Sequence, residues 1–215
     1  MSTIEIPLFP LAVLFPGAVL PLHIFEPRYR QMVIDCQNAD MPIGIVLPKP
    51  ESEFMSEVPC TVGTMAEIHN LETLDDGRYL FNAVGTRRFR ILSQHHQKPY
   101  ITALVEPFDD EAEPLSELRD VTRAAQRLFK EYIEILLEPE SEASVQGRIP
   151  TQPEALSYFI ASLLQTTDDE QKQQFLEMTS TSERLNEEVK ILRREVPFMR
   201  EILSKKIPDE RTRLN

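Results

Sequence analysis

The sequence has no tryptophan and only two cysteines among its 215 residues. Cys36 and Cys60 form no CxxC or other metal-type spacing, which argues against a structural metal site. Two such thiols are expected to stay reduced in a cytosolic chain. No uninterrupted apolar run approaches the roughly 20 residues that a membrane helix needs. The N-terminus also lacks the basic, apolar and small-residue succession of a signal peptide. These absences predict a cytoplasmic protein with no membrane partner. Basic charge is scarce too: 23 Lys and Arg stand against 35 Asp and Glu, a net charge of −12. Residues 1–108 hold 8 basic against 12 acidic residues, and residues 109–215 hold 15 against 23. Both halves therefore repel a phosphate backbone, which counts against DNA and against general nucleic-acid binding. What the chain does have is apolar content, 41%, enough for one good core or two smaller ones.

That content is densest over residues 6–29, IPLFPLAVLFPGAVLPLHIFEPRY, which carry five prolines, at 7, 10, 16, 21 and 27. So many prolines exclude a single long helix. The stretch reads as strand, turn, strand, helix. Pro16-Gly17 is a turn, with proline presetting φ and glycine tolerating the positive φ of a type II turn. Ala18, Leu20, Leu22 and Ile24 then share one strand face. Pro21 has no N–H to give a ladder, so that strand is expected at a sheet edge or with its proline turned to an unpaired side. Glu26-Pro27 opens a helix with proline at its first position. Tyr29, Met32, Val33 and Cys36 give it an apolar stripe. Glu26 is expected to cap the helix and Arg28 to pair with a carboxylate. With Pro16, Gly17 and Tyr29 they read first as fold determinants.

Further strands are expected at 3–8, 42–48, 61–71, 78–85, 87–92 and 100–105, with a polar loop over 49–59 and a hairpin at Asp76-Gly77. Short strands with one embedded helix suggest a small closed or partly closed barrel. The acidic run DDEAEP at 109–114 marks a boundary, dividing a β-rich domain (1–108) from a helical one (109–215). Leu118, Val121, Ala125, Leu128, Tyr132 and Ile135 form the seam of a long helix. A Ser- and Glu-rich loop follows over 138–150. Capping boxes at Thr151 with Glu154, Thr167 with Glu170 and Ser180 with Glu183 start three more helices. The last has a seam of Leu185, Val189, Leu192, Val196, Met199 and Leu203, and Pro197 is expected to kink or interrupt it. Its Arg193, Arg194, Arg200, Lys205 and Lys206, interleaved with Glu187, Glu188, Glu195 and Glu201, read as an ordinary charged face. The expected fold class is α+β, a β-barrel-type domain followed by a bundle of about four helices.

Three blocks carry a family resemblance. They are IPLFPLAVLFPGAVLPLHIFEPRYR at 6–30, VGTMAEIHNLETLDDGRYLFNAVGTRRFRIL at 62–92 followed by PYITALVE, and LSYFIASLLQTTDDEQKQQFLEMTSTSERL at 156–185. In this order and spacing they resemble the N-terminal domain of Lon proteases over roughly residues 4–203. The HIFEPRYR run is more similar to stand-alone LON-domain proteins, including those with RING fingers. The resemblance implies a PUA-like β-domain followed by a helical domain, substrate recognition, help in assembling an oligomer, and no cofactor. The sequence departs from full-length Lon in having no GxxxxGK[ST] loop and no room for a Ser-Lys peptidase domain, so a non-catalytic module is expected.

The expected function is therefore recognition of unfolded or exposed apolar polypeptide segments, with a protease or chaperone as partner. An extended peptide could add to the Pro21 strand, its side chains entering pockets lined by Phe15, Leu20, Phe25 and Met65, each of which also reads as core. One alternative is an RNA-binding module in which Arg87, Arg88 and Arg90 hold phosphate, although a structural or surface role for that cluster is favoured. Another is a scaffold that forms a homodimer through its final helix. His95 and His96 point to opposite faces of a strand and are poorly placed to chelate one metal. Cys60 and His69 lack an orienting third group, so no catalytic pair is expected there.

Overall fold

A computed structural model describes residues 3–49, 59–137 and 147–206. Among these the chain is mixed α/β, with a six-stranded sheet and five helices. The strands are β1 (Ile4–Pro10), β2 (Val19–Ile24), β3 (Ile43–Pro48), β4 (Pro59–Thr73), β5 (Tyr79–His95) and β6 (Thr102–Pro107). The helices are α1 (Pro27–Ala39), α2 (Leu115–Leu136), α3 (Pro153–Leu163), α4 (Asp169–Glu177) and α5 (Thr181–Lys206). The chain divides into two compact units, residues 1–110 with 161–179, and residues 111–160 with 180–215. The second half is thus not one helical block after residue 108: the segment carrying α4 returns to the sheet. The loops expected at 49–59 and 138–150 lie mostly outside the described residues.

In the first unit the sheet order is β2-β5-β4-β3-β1-β6, and β5 also pairs with β6. The pairings therefore run in a closed circuit through β5, β4, β3, β1 and β6, leaving β2 outside it as an edge. Only β1 and β3 are parallel, and the crossover between them holds β2 and α1. The edge position of β2 is the one Pro21 demands. Its alternation is as expected: Leu22 and Ile24 are buried, Leu20 is half-buried, and Val19, Pro21 and His23 are exposed. Tyr29, Met32, Val33 and Cys36 form the buried stripe of α1 and pack with Leu22, Ile24, Ile43, Ile45 and Phe81. The outer side of α1 is fastened by Asp35, which accepts hydrogen bonds from Tyr100, Lys98 and Gln31. These donors hold its carboxyl down at about 2.

The Pro16-Gly17 turn is present, closed by a hydrogen bond from the Ala18 N–H to the Phe15 carbonyl at 3.0 Å, with φ +79° at Gly17. Gly17 also donates to the Gly85 carbonyl, and Gly85 donates to Ala18. A Cβ on Gly85 would stand 2.4 Å from the Phe15 carbonyl oxygen, so only glycine allows the turn to lie on β5. This explains one departure from expectation. Residues 78–85 and 87–92 are not separate strands but the continuous β5, because Gly85 marks a close approach and not a turn. The register shifts there, and the Thr86 hydroxyl bonds the Met65 carbonyl. The last strand begins at Thr102 instead of Tyr100, whose side chain is buried against the α1 cluster.

In the second unit α2 buries Leu118, Thr122, Ala125, Leu128, Phe129, Tyr132 and Ile133. Thr122, Phe129 and Ile133 replace the expected Val121 and Ile135. A straight helix of 3.6 residues per turn drifts away from a strict alternation of threes and fours. Ser180 caps α5 through Glu183 as expected, and Glu113 adds contacts to Ser180 and the Ser182 N–H. The other two boxes shift by one residue. Asp168, not Thr167, caps α4 by accepting from Gln171, while Thr167 bonds back to Leu164. Pro153 at the first position of α3 sets that start one residue after the expected one. The helix α5 continues through Pro197. Its charged face is not wholly solvated: Arg184, Glu188 and Glu195 are buried. Arg184 bonds Ser157 and lies over the Tyr158 ring at 4.1 Å.

Candidate polypeptide-binding surface

The free edge of β2 and the residue that follows it expose apolar side chains. Val19 is 55% and Phe25 61% exposed, and His23 sits beside Phe25 with ring centroids 6.0 Å apart. The outer edge of β2 has no strand partner among the described residues. Of the four residues expected to line a groove here, Phe25 alone faces solvent. Phe15 is buried beneath the turn, and Met65 is buried with Ile6, Leu8, Val46 and Phe89. Leu20 follows the inward alternation of Leu22 and is half-buried against the core. Glu26 stands at the N-cap position of α1 without capping it through its side chain. Its carboxylate instead accepts from Arg28 at 2.8 Å, which gives Arg28 the partner expected of it. Arg28 also lies over the buried Tyr29 ring at 4.5 Å.

The arginine cluster is spent internally. Arg88 is 2% exposed, and its guanidinium donates to the carbonyls of Leu176 and Met178 and to Asp110. A cation there meets the carbonyl end of α4, where the helix dipole favours it. Arg87 makes a two-point contact with Asp109, and Arg90 covers the Phe108 ring at 4.1 Å. The three do not converge on an open phosphate-sized site.

Other suspected chemistry is likewise separated. Cys60 and His69 lie at different points of β4, on the order of 30 Å apart at strand rise. Burial pushes both thiols up, Cys36 to about 12, which makes them poor nucleophiles. Ser93, His95 and Glu5 follow one another at 3.4 Å each on an exposed face, an arrangement that shields no reacting group from water. Among the described residues no group of three or more His, Cys, Asp or Glu could hold a metal ion. No described helix is long and apolar enough to cross a membrane.

A cleft of about 460 Å³ opens between the last turn of α1 and β4. Cys36, Gln37 and Asp40 line it from the helix side, and Met65, Glu67 and His69 from the strand side. Asp40 ends α1 in the left-handed region at φ 48°, its N–H bonded to the Cys36 carbonyl. β3 pairs with β4 only up to Ile43 opposite Ala66, so from Glu67 onward that edge of β4 has no strand partner among the described residues.

The family model described as the ATP-dependent protease La (LON) substrate-binding domain matches residues 5–194. The chain belongs to this family. Its LON domain is similar to the Lon protease of Anaeromyxobacter dehalogenans (strain 2CP-C), 29% identical over 214 residues that cover 94% of this chain and 24% of that protein. Lon protease 2 of Myxococcus xanthus is 28% identical over 210 residues, covering 94% and 25%. The chain thus spans about a quarter of the length of these curated relatives. A crystal structure of a Lon N-terminal domain protein from Xanthomonas campestris superposes with a TM-score of 0.61 at 25% identity, covering 86% of this chain and 96% of that one. The N-terminal domain of the Mycobacterium avium complex Lon protease shares the fold, with a TM-score of 0.69 at 18% identity over 88% and 98%.

In the LON domain the sequence located the β2 edge but not the cleft. Pro21 announced the edge by its missing N–H. The cleft joins the end of α1 to a strand whose partner stops short, and no local pattern reports where a neighbouring strand ends.

Proposed function

We propose that this LON domain is a non-catalytic, cytoplasmic recognition module that binds unfolded or exposed apolar polypeptide segments and passes them to a protease or chaperone. The observation that carries the reading is the family match over residues 5–194. The exposed Val19 and Phe25 beside the unpaired edge of β2 support it, since an extended chain gains main-chain hydrogen bonds along such an edge and apolar contacts beside it. In the same reading the closed strand circuit is a PUA-like barrel and the second unit a helical bundle. The test is fluorescence anisotropy with a labelled, permanently unfolded protein, its folded parent and a structured RNA. The unfolded chain is expected to bind at least about tenfold tighter than the folded parent. Absence of binding by the unfolded chain, with the LON domain still folded by circular dichroism, refutes the proposal. Preference for the RNA refutes it too, and moves attention to Arg87 and Arg90.

A further inference from the structure

The geometry points to the cleft between α1 and β4 as a pocket for a basic side chain, lysine or arginine, of an extended polypeptide that runs along the free edge of β4 from Glu67 to His69. This inference rests on the polypeptide-binding reading above and gives it a side-chain preference that the family description does not state. Three independent features of the cleft agree on a cation. Its lining holds two carboxylates, Asp40 and Glu67, and no Lys or Arg, with His69 Nε2 3.1 Å from one Glu67 oxygen. It receives the carbonyl end of α1, whose last turn has no basic residue to answer the helix dipole. The Thr86 hydroxyl and Gln37 amide supply further oxygen acceptors at the walls. The floor is apolar: Met65 and Cys36 are buried, and Met41 packs against the core. A long aliphatic stem ending in a charge fits such a site, with methylenes on the floor and the cation at the acidic rim. The backbone supplies the rest. β3 leaves β4 after Ala66, so an added strand would find open main-chain groups where the cleft begins. The left-handed residue Asn70, at φ 54°, and the register shift between His69 and Glu72 end that free stretch.

The test uses the whole chain and two labelled, unstructured peptides that differ only in a central Lys or Gln. The Lys peptide is expected to bind about tenfold tighter, and Asp40→Asn with Glu67→Gln together to bring the two within about twofold. Asparagine keeps the left-handed conformation accessible at position 40. Because the chain carries a net charge of −12, a basic peptide is attracted generally. The charge-matched control Glu72→Gln with Asp75→Asn, both exposed and outside the cleft, must keep the tenfold preference. Equal affinities, or a preference that the control pair removes as well as the cleft pair does, overturns the inference and leaves polypeptide recognition standing. Failure of both peptides and of the unfolded protein refutes polypeptide recognition. The cleft is then judged alone, by amide chemical shifts on titrating N-acetyl-lysine methylamide. Shifts confined to Gln37, Asp40 and Glu67–His69 uphold the cation site, and unmoved signals there overturn it.

Discussion

Replacing Arg88 by methionine should release the segment carrying α4 from the sheet. The side chain is 1% exposed, and one of its nitrogens bonds both the Leu176 carbonyl at 2.8 Å and the Met178 carbonyl at 2.5 Å. Its other terminal nitrogen meets Asp110, whose side chain is 5% exposed. Each hydrogen bond to a charged group contributes about 1.5–3 kcal/mol. Removing one partner of a buried pair costs about 3–5 kcal/mol, because the other charge is left behind in low dielectric. The contributions share one guanidinium and do not add, so the expected loss is about 3–5 kcal/mol, a large part of the about 5–15 kcal/mol that holds a domain together. Arg88→Lys should recover only part, since an ammonium cannot reproduce the fork that spans two carbonyls and a carboxylate. Arg88→Met with Asp110→Leu should be less damaging than Arg88→Met alone, by at least about 1 kcal/mol, because no charge is stranded. With no tryptophan available, unfolding in urea would be followed by circular dichroism, and hydrogen exchange would report on residues 161–179. A loss under about 1 kcal/mol with an unchanged denaturant slope, and unaltered exchange at α4, would refute the account.

Glu188 is fully buried, neither carboxylate oxygen has a hydrogen-bond partner among the described residues, and burial raises its pKa well above the usual carboxyl value against the opposing pull of Arg184. A carboxyl raised in the folded state stabilises fully below its unfolded pKa and loses that contribution as pH rises toward the folded one, so Glu188→Gln should gain on the native chain between pH 4.5 and 7.5. Parallel urea midpoints for the two proteins across that range would contradict this. Gly85→Ala forces a methyl to within 2.4 Å of the Phe15 carbonyl and should cost about 1–3 kcal/mol in thermal or urea unfolding, against a fraction of that if the turn can lift from β5. Phe25→Ser should leave stability within about 0.5 kcal/mol and weaken unfolded-chain binding severalfold, as read by anisotropy. Unchanged binding would remove the β2 edge from the recognition surface.

How far the sequence reached can be judged from the run Arg87-Arg88-Phe89-Arg90. Strand alternation sets Phe89 on the face opposite the two arginines beside it, and Phe89 is a core residue. Alternation also made Arg88 and Arg90 equivalent, yet Arg88 is buried and Arg90 exposed. The difference comes from α4, whose last carbonyl groups and the following Met178 lie some 90 positions along the chain from Arg88. A period of two reports only which face a residue occupies, and says nothing about what later covers that face. The same limit explains Glu188 and Glu195, where helical periodicity marks a polar stripe without saying that packing will enclose two members of it. Local chemistry was legible where it was self-sufficient, as in Pro16-Gly17, Pro21, Pro27 and the Tyr29 to Cys36 stripe, because each carries its own backbone constraint or period. A buried arginine and an acidic cleft are properties of chain segments brought together from a distance. Their cost and their chemistry therefore enter only once those segments are placed, and for this LON domain that placement makes Arg88 a structural clamp on α4 and puts two acidic groups, Asp40 and Glu67, beside a strand edge.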